Sequence, residues 1–348
     1  MGGAEIQCVL LAKYLAKRGH ETIYLALKEK EDINKEEGVR SYGLMKSGNK
    51  FSALLKFCKF LKKEKPDICY IRTFDELFIL SLICRLCRIK TVYNTTHINN
   101  CTPYQKLKFS LNIIRLSKNL KAAVFHYLNF ISLKRVNVLT INRLHAKILK
   151  ERYNISATSI YNSMEDNYRS DIKNKENKIV WVNNIKPRKN PEIFIKLANE
   201  FKGSKWEFLM IGEIQGANYL KIIKLAELSN PNLKYLGPKT IEEVDEILAK
   251  ATILVNTCEP EGFGNNFIQA WLNECPTVTL KFDPDDIIKI NKIGFHSKTF
   301  EQMIKDAVYL MEHKEERIEM GRRARKYALE NHNINKNVLK YESYFSKI

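Results

Sequence analysis

Hydrophobic positions in this chain fall into short β-branched or aromatic runs, separated by longer stretches in which apolar residues recur three and four apart. The first set of runs covers 22–27, 39–44, 68–72, 91–95, 136–141 and 159–161, with the clearest helical intervals at 5–18 and 51–63. Strand-length runs alternating with helix-length intervals predict a parallel, doubly wound sheet flanked by helices. At 163–177 the pattern stops, and this polar, charged, aperiodic segment reads as a linker or crossover. The alternation then restarts, with strands at 179–184, 206–211, 233–236, 253–257 and 277–281 and helices at 191–201, 218–229, 241–249 and 266–273. Two tandem Rossmann-like α/β domains are therefore expected, an N-terminal one over 1–165 and a C-terminal one over 166–330, with 331–348 a last helix packing back on the first. A cleft between such domains is a natural ligand site.

The start of the chain departs from this scheme. In a doubly wound domain a buried first strand feeds into the glycine-rich turn, yet here the turn Gly2-Gly3-Ala4-Glu5 comes at once. That strand normally lies in mid-sheet, so its absence leaves unpaired backbone groups and an apolar gap. A start site upstream of Met1 is the expectation.

Composition narrows the class. The 348 residues are 45% hydrophobic and 28% charged, with 14 Gly and 9 Pro, which excludes disordered and collagen-like chains. No apolar run attains the roughly 18 residues that span a bilayer, and the opening lacks the basic start and apolar run of a signal peptide. A cytoplasmic location is expected. Eight cysteines are scattered, several within apolar runs, as reduced core thiols are. Cys84 and Cys87 form one CxxC with no second pair at zinc spacing, and read as core thiols on a helix.

Charge adds an asymmetry. Of the formal net charge of +19, residues 1–165 carry +16, from 29 Lys and Arg against 13 Asp and Glu, and the remainder carries +3. Between residues 77 and 150 there are thirteen Lys or Arg and no acid. Such a field attracts nucleic acid, anionic lipid headgroups or a phosphorylated substrate; a generally Lys-rich composition is the plain alternative. Aromatics interleave with the charges at 104–109 (YQKLKF) and 125–130 (FHYLNF). This suits a helix lying in a membrane interface, and equally an amphipathic helix packed on a sheet. No helix-turn-helix, zinc-finger or RNA-recognition signature accompanies it, so no nucleic-acid partner is expected.

The strongest chemical signal follows the strand at 253–257: a Glu261-Gly262-Phe263-Gly264 turn and a helix opening near Asn265. A helix start of this kind presents free N–H groups and a positive dipole end to an anion, most naturally a diphosphate. Glu261 in the loop and Gln269 on the second helical turn face one ligand. The acidic run Asp283-Pro284-Asp285-Asp286 reads as a loop after a strand, and neither a metal nor another cofactor is expected.

This segment resembles the signature of the family 4 (group 1) retaining glycosyltransferases of the GT-B fold: glutamate, seven residues, glutamate, within E-G-F-G/P-x-x-x-x-E-A. Glu261, Gly262, Phe263, Gly264 and Ala270 match, and Gln269 stands at the second glutamate. The resemblance implies that Glu261 contacts donor-sugar hydroxyls, that Gln269 meets the ribose with an amide in place of an acid, and that Asn265 and Asn266 line the donor site. Lys186-Pro187-Arg188-Lys189 is similar to the family's G-R-x-x-x-x-K-G element. It places Lys189 at the phosphate-binding lysine, with Asn183 or Asn184 in place of the arginine and Arg188 beside it. Gly2 and Gly3 resemble the first glycine loop, against the donor phosphate. His97 falls where the family carries a histidine near the transferred sugar, although a lone histidine at a strand end is also a common structural feature. Asn162 matches the asparagine that ends the first domain.

What the resemblance implies is a transferase that moves a glycosyl unit, with retention, from a nucleotide sugar (UDP- or GDP-linked) to a glycan or lipid-linked acceptor in cell-surface polysaccharide, lipopolysaccharide or glycolipid synthesis. Glu261, Lys189 and His97 would be its catalytic residues. The basic first domain points to an anionic membrane surface at the inner face of the cell membrane. Two other readings share the fold: a nucleotide-sugar epimerase, and a non-catalytic binding or scaffold protein, the latter favoured by Gln269, the absent arginine and the absent strand.

Overall fold

Glu5 folds back at the start of the chain so that its carboxylate accepts the Gly2 N–H at 2.5 Å, and α1 (Gly3–Lys17) runs on from there. The computed structural model describes residues 2–26, 34–44, 50–103, 113–169, 175–216 and 218–348. Contacts divide the chain into two units, Met1–Asn162 with Ile334–Ile348, and Ser163–Asn333.

After α1, the first unit continues through β1 (Thr22–Ala26), β2 (Asn34–Glu36), β3 (Val39–Gly43), α2 (Lys50–Glu64), β4 (Ile68–Ile71), α3 (Leu77–Leu86), β5 (Lys90–Thr95), α4 (Ile113–Ser132), β6 (Asn137–Thr140), α5 (Arg143–Tyr153) and β7 (Thr158–Ser159). Its strands lie in two sheets. One has the order β1-β3-β2 and the other β4-β5-β6-β7, with parallel pairing throughout except for β2 against β3. A doubly wound sheet lacking its first strand was expected, and among the described residues no ladder joins β1 to β4.

The core of this unit gathers Leu61, Leu77, Tyr93, Leu133 and Leu149, all almost fully buried, between the four-stranded sheet and its helices. On the opposite side Leu11 of α1 meets Val92, Leu139, Val338 and Tyr341. The last two belong to the C-terminal helix α13 (Ile334–Phe345), which packs against α1. Arg18 and His20 both hold Glu342 of that helix, at 2.7 and 2.8 Å. Segment 104–109 lies outside the described residues.

The second unit is a single parallel sheet. Its elements are β8 (Lys178–Val182), α6 (Pro191–Glu200), β9 (Glu207–Ile211), α7 (Tyr219–Ser229), β10 (Leu233–Tyr235), α8 (Ile241–Lys250), β11 (Ile253–Asn256), α9 (Asn265–Leu272), β12 (Thr277–Thr279), α10 (Ile287–Ile290), β13 (Gly294–His296), α11 (Phe300–Glu312) and α12 (Lys314–Asn331). The order β10-β9-β8-β11-β12-β13 puts β8 and β11 side by side at the centre, with Ile253 opposite Ile179. Helices cover both faces, so strands such as β11 are buried along their whole length and read as continuous apolar runs. A tight crossing at the end of β9 demands a glycine: Gly212 has φ +143, and a Cβ there would stand 1.9 Å from the Asn183 carbonyl oxygen.

Residues read as a linker in the sequence are tied down in this unit. Met164 is buried and bridges to Asn333, Asp166 pairs with Arg325 at 2.8 Å, and the Lys175 ammonium donates to the carbonyls of Leu248 and Asn273 near the ends of α8 and α9. Cys84 is buried in α3 and Cys87 caps it; all eight cysteines are free thiols, and no metal-binding cluster occurs among the described residues.

Candidate active site

Beyond β11 a single hydroxyl organises the loop. Thr257 Oγ1 accepts the Trp181 Nε1–H at 2.9 Å and donates to the Lys189 carbonyl at 2.7 Å, while the Thr257 carbonyl accepts the Asn190 side-chain amide at 3.0 Å. These bonds lock the basic turn Pro187–Lys189 against the loop that carries Glu261. The Lys189 Nζ then meets Glu261 Oε2 at 2.6 Å, although the two residues lie 72 positions apart. Burial pulls the Lys189 pKa down, but attraction from the Glu261 carboxylate and from the Cys258 sulfur outweighs it and leaves the ammonium above the ordinary lysine value. Lys189 is therefore charged at neutral pH. The Cys258 thiol beside it is pushed up to about 12, chiefly by burial, so it is not a nucleophile.

Three polar atoms around this pair are buried without partners: Glu261 Oε1, Asn183 Nδ2 and Asn256 Nδ2. Leaving such a group unpaired costs about 1–3 kcal/mol, so their convergence around Cys258 marks a place prepared for a polar ligand. Asn183 approaches the Cys258 sulfur through its Oδ1 at 3.4 Å, and Asn256 Oδ1 accepts the Cys258 N–H.

The helix start is built to the same end. Gly264 caps α9, and a Cβ there would stand 2.4 Å from Asn266 Oδ1 and 3.2 Å from Glu261 Oε1, so only glycine leaves room for the glutamate. Asn266 spends its side chain on structure, donating to the Val182 carbonyl at 3.0 Å. The Phe263 ring is buried among Phe267, Trp271 and His332, and anchors the loop from below. Gly262 and Asn265 lie on the same turn, Arg188 extends along the surface with a 3.5 Å contact to the Pro260 carbonyl, and Asn184 follows Asn183 past the end of β8.

Gln269 sits one turn further along α9, buried, with Nε2 donating to Asp245 Oδ1 at 3.0 Å. Asp245, on α8, also receives the Asn167 amide at 3.0 Å. Its pKa is raised to about 6 by burial, against the pull of the Asn167 and Gln269 hydrogen bonds. Because Asp245 occupies the amide nitrogen, the Gln269 Oε1 is the end left for an acceptor role. Sequence reasoning passed over Asp245, although an acid sharing the helix face of Val244 and Leu248 was a readable signal.

In the first unit, His97 follows β5 and caps the short turn Ile98–Cys101, its Nδ1 accepting the Asn99 N–H at 3.1 Å. When the ring is neutral, its proton is therefore on Nε2. His145, absent from the sequence argument, lies nearby: burial, with a smaller repulsion from His97, lowers it to about 4, and its Nδ1 is 2.9 Å from Thr95 Oγ1. Asn162 Oδ1 accepts from buried Arg72 at 3.0 Å. Gly2 and Gly3 begin α1, the Gly2 N–H being taken by Glu5. Asp283 of the acidic run caps the following helix, accepting the Ile288 N–H at 2.9 Å.

Two family models match in succession, Glycosyltransferase Family 4 over residues 1–166 and Glycosyl transferases group 1 over residues 163–327. The chain belongs to the family 4, group 1 glycosyltransferases. Among solved structures it is similar to HepE of Anabaena bound to UDP-glucose, at 15% identity and a TM-score of 0.75 over 100% of this chain and 97% of that one. A glycosyltransferase of Rickettsia africae is 18% identical, with a TM-score of 0.76 over 99% and 95%. WaaG, a glycosyltransferase involved in lipopolysaccharide biosynthesis, is 16% identical, with a TM-score of 0.72 over 99% and 96%. These likenesses establish the GT-B fold. No curated protein matches the chain by sequence. No helix among the described residues is long and apolar enough to cross a membrane.

Proposed function

We propose that this glycosyltransferase moves a sugar, with retention, from a nucleotide-sugar donor to a glycan or lipid-linked acceptor of cell-surface polysaccharide, lipopolysaccharide or glycolipid. The observation that carries the proposal is Glu261 Oε1, buried without a partner beside a charged lysine at a helix start. A sugar hydroxyl satisfies that oxygen. The diphosphate, as leaving group, takes the remaining N–H donors of Lys189 and the free N–H groups that open α9, which stabilise the charge developing as the glycosidic bond breaks. Retention follows when the departing phosphate itself accepts the acceptor proton on the face it leaves, so no protein nucleophile is needed, in keeping with a Cys258 thiol that stays protonated. Gln269 Oε1 accepts from a ribose hydroxyl, and His97 Nε2 donates to the transferred sugar.

The UDP-glucose complex of HepE supports a uridine donor, and the likeness to WaaG supports a lipopolysaccharide-type acceptor. An acceptor presented at an anionic membrane surface accords with the +16 charge of residues 1–165. A thermal-shift panel of UDP, GDP, ADP and TDP with their sugars tests the donor site. One nucleotide at about 100 times its Kd adds about 2.7 kcal/mol of stability, a rise of several degrees, and Lys189→Ala abolishes the shift. A folded protein that no nucleotide shifts would favour the scaffold reading.

A further inference from the structure

Where β5 and β6 begin, opposite the strand ends that lead to His97 and Asn142, the first unit carries a groove of about 450 Å³. Its walls combine Arg85, Arg88, Lys90 and Arg135 with the apolar faces of Phe78 and Leu82. The Lys90 ammonium is held by the Ile348 main-chain oxygen at 2.5 Å. The three guanidiniums have no hydrogen-bond or ion-pair partner among the described residues, and no Asp or Glu occurs from 77 to 150. Three uncompensated arginines around one cavity form an anion site.

The rim identifies the anion's carrier. Ile79, Leu82 and Leu86 stand at i, i+3 and i+7 on α3, forming one outward stripe, with Leu86 76% exposed. Helix α4, packed alongside α3, exposes Val124 and Phe125. Such side chains leave water only if something apolar lies beside the anion. A soluble phosphate offers nothing of the kind, whereas a bilayer interface offers headgroup phosphates and acyl chains together. We propose that this groove seats the phosphate of an anionic lipid headgroup while the α3 stripe dips into the interface, docking the first unit on an anionic bilayer. The proposal deepens the membrane-presented acceptor reading above and rests on it.

Vesicle co-sedimentation of the full chain, without donor, tests it. The protein is expected to partition onto phosphatidylcholine vesicles containing phosphatidylglycerol, weakly onto phosphatidylcholine alone, and less as salt rises. Arg85→Gln/Arg88→Gln should weaken partitioning about 30-fold, at about fivefold per basic side chain near an anionic surface, and Leu82→Ser/Leu86→Ser should weaken it as well. Lys221→Gln/Lys224→Gln on α7 removes the same charge from the second unit and should leave it unchanged. Equal losses from both basic pairs, or parental partitioning by Arg85→Gln/Arg88→Gln, would overturn the site. A groove that binds inorganic phosphate while the chain ignores vesicles would make it a soluble-anion site and overturn the membrane. Nucleotide-induced thermal shifts, read on the same variants, report the donor site separately, so failure of one reading is distinguishable from failure of the other.

Discussion

The two units solve one folding problem with different surfaces. The second closes a six-stranded parallel sheet on both faces, nearly neutral overall, and leaves Glu261 Oε1, Asn183 Nδ2 and Asn256 Nδ2 unpartnered near Lys189. The first divides its strands between two sheets and carries almost all the net charge; both units expose apolar side chains, the first on α2, α3 and α4 and the second on α7, but only in the first do they lie amid that charge. Rigid burial suits a site that must hold a small charged donor within tenths of an ångström. A charged, apolar-tipped exterior suits a partner that is large, anionic and variable.

If that contrast holds, a core residue of the second unit should be far costlier to lose than the apolar rim of the first. Trp271 is fully buried, stacks on Phe267 and donates to Thr277 Oγ1 at 3.0 Å. Trp271→Ala should cost about 3–5 kcal/mol in denaturant unfolding.

Asp245 sharpens the comparison through pH. Its folded-state pKa of about 6 lies above the ordinary carboxylate value near 4, so between those limits the folded chain holds a proton that the unfolded chain has lost. Its contribution to stability is whole below about pH 4 and falls as pH rises through about 6. Asp245→Asn cannot ionise, so the stability difference between variant and parent should move in the variant's favour by about 3 kcal/mol across that window. A difference independent of pH would place the proton elsewhere. The smallest effect belongs to the first unit's rim: Leu82→Ser/Leu86→Ser should change the free energy of unfolding by about 0.5 kcal/mol or less, as exposed substitutions do.

The strands of both units were legible in the sequence, β1, β3, β4, β5 and β6 of the first as well as those of the second. Strands buried on both faces write themselves as apolar runs, so β8, β9 and β11 lie within two residues of their expected ends. β2 (Asn34–Glu36) is entirely polar and has no pattern to find, and β13 carries a single hydrophobic residue, Phe295. Glu261 and Lys189 were legible through their turns, but the orphaned Oε1 and the Asn183 amide arise from approaches between distant segments that no local pattern encodes. Asp245 was legible in principle, as an acid on a core-facing stripe. The anionic-lipid groove needed the fold, because Arg85 and Arg135 are fifty residues apart in the chain and meet only across α3 and the start of β6.

The account turns on one carboxylate. With the nucleotide sugar picked out by the thermal-shift panel, turnover followed as release of nucleoside diphosphate compares the parent with Glu261→Ala. The account predicts a loss of at least about a hundredfold with a cooperative melt retained, the scale of removing one aimed transition-state contact. Near-parental turnover by a folded Glu261→Ala protein would contradict it.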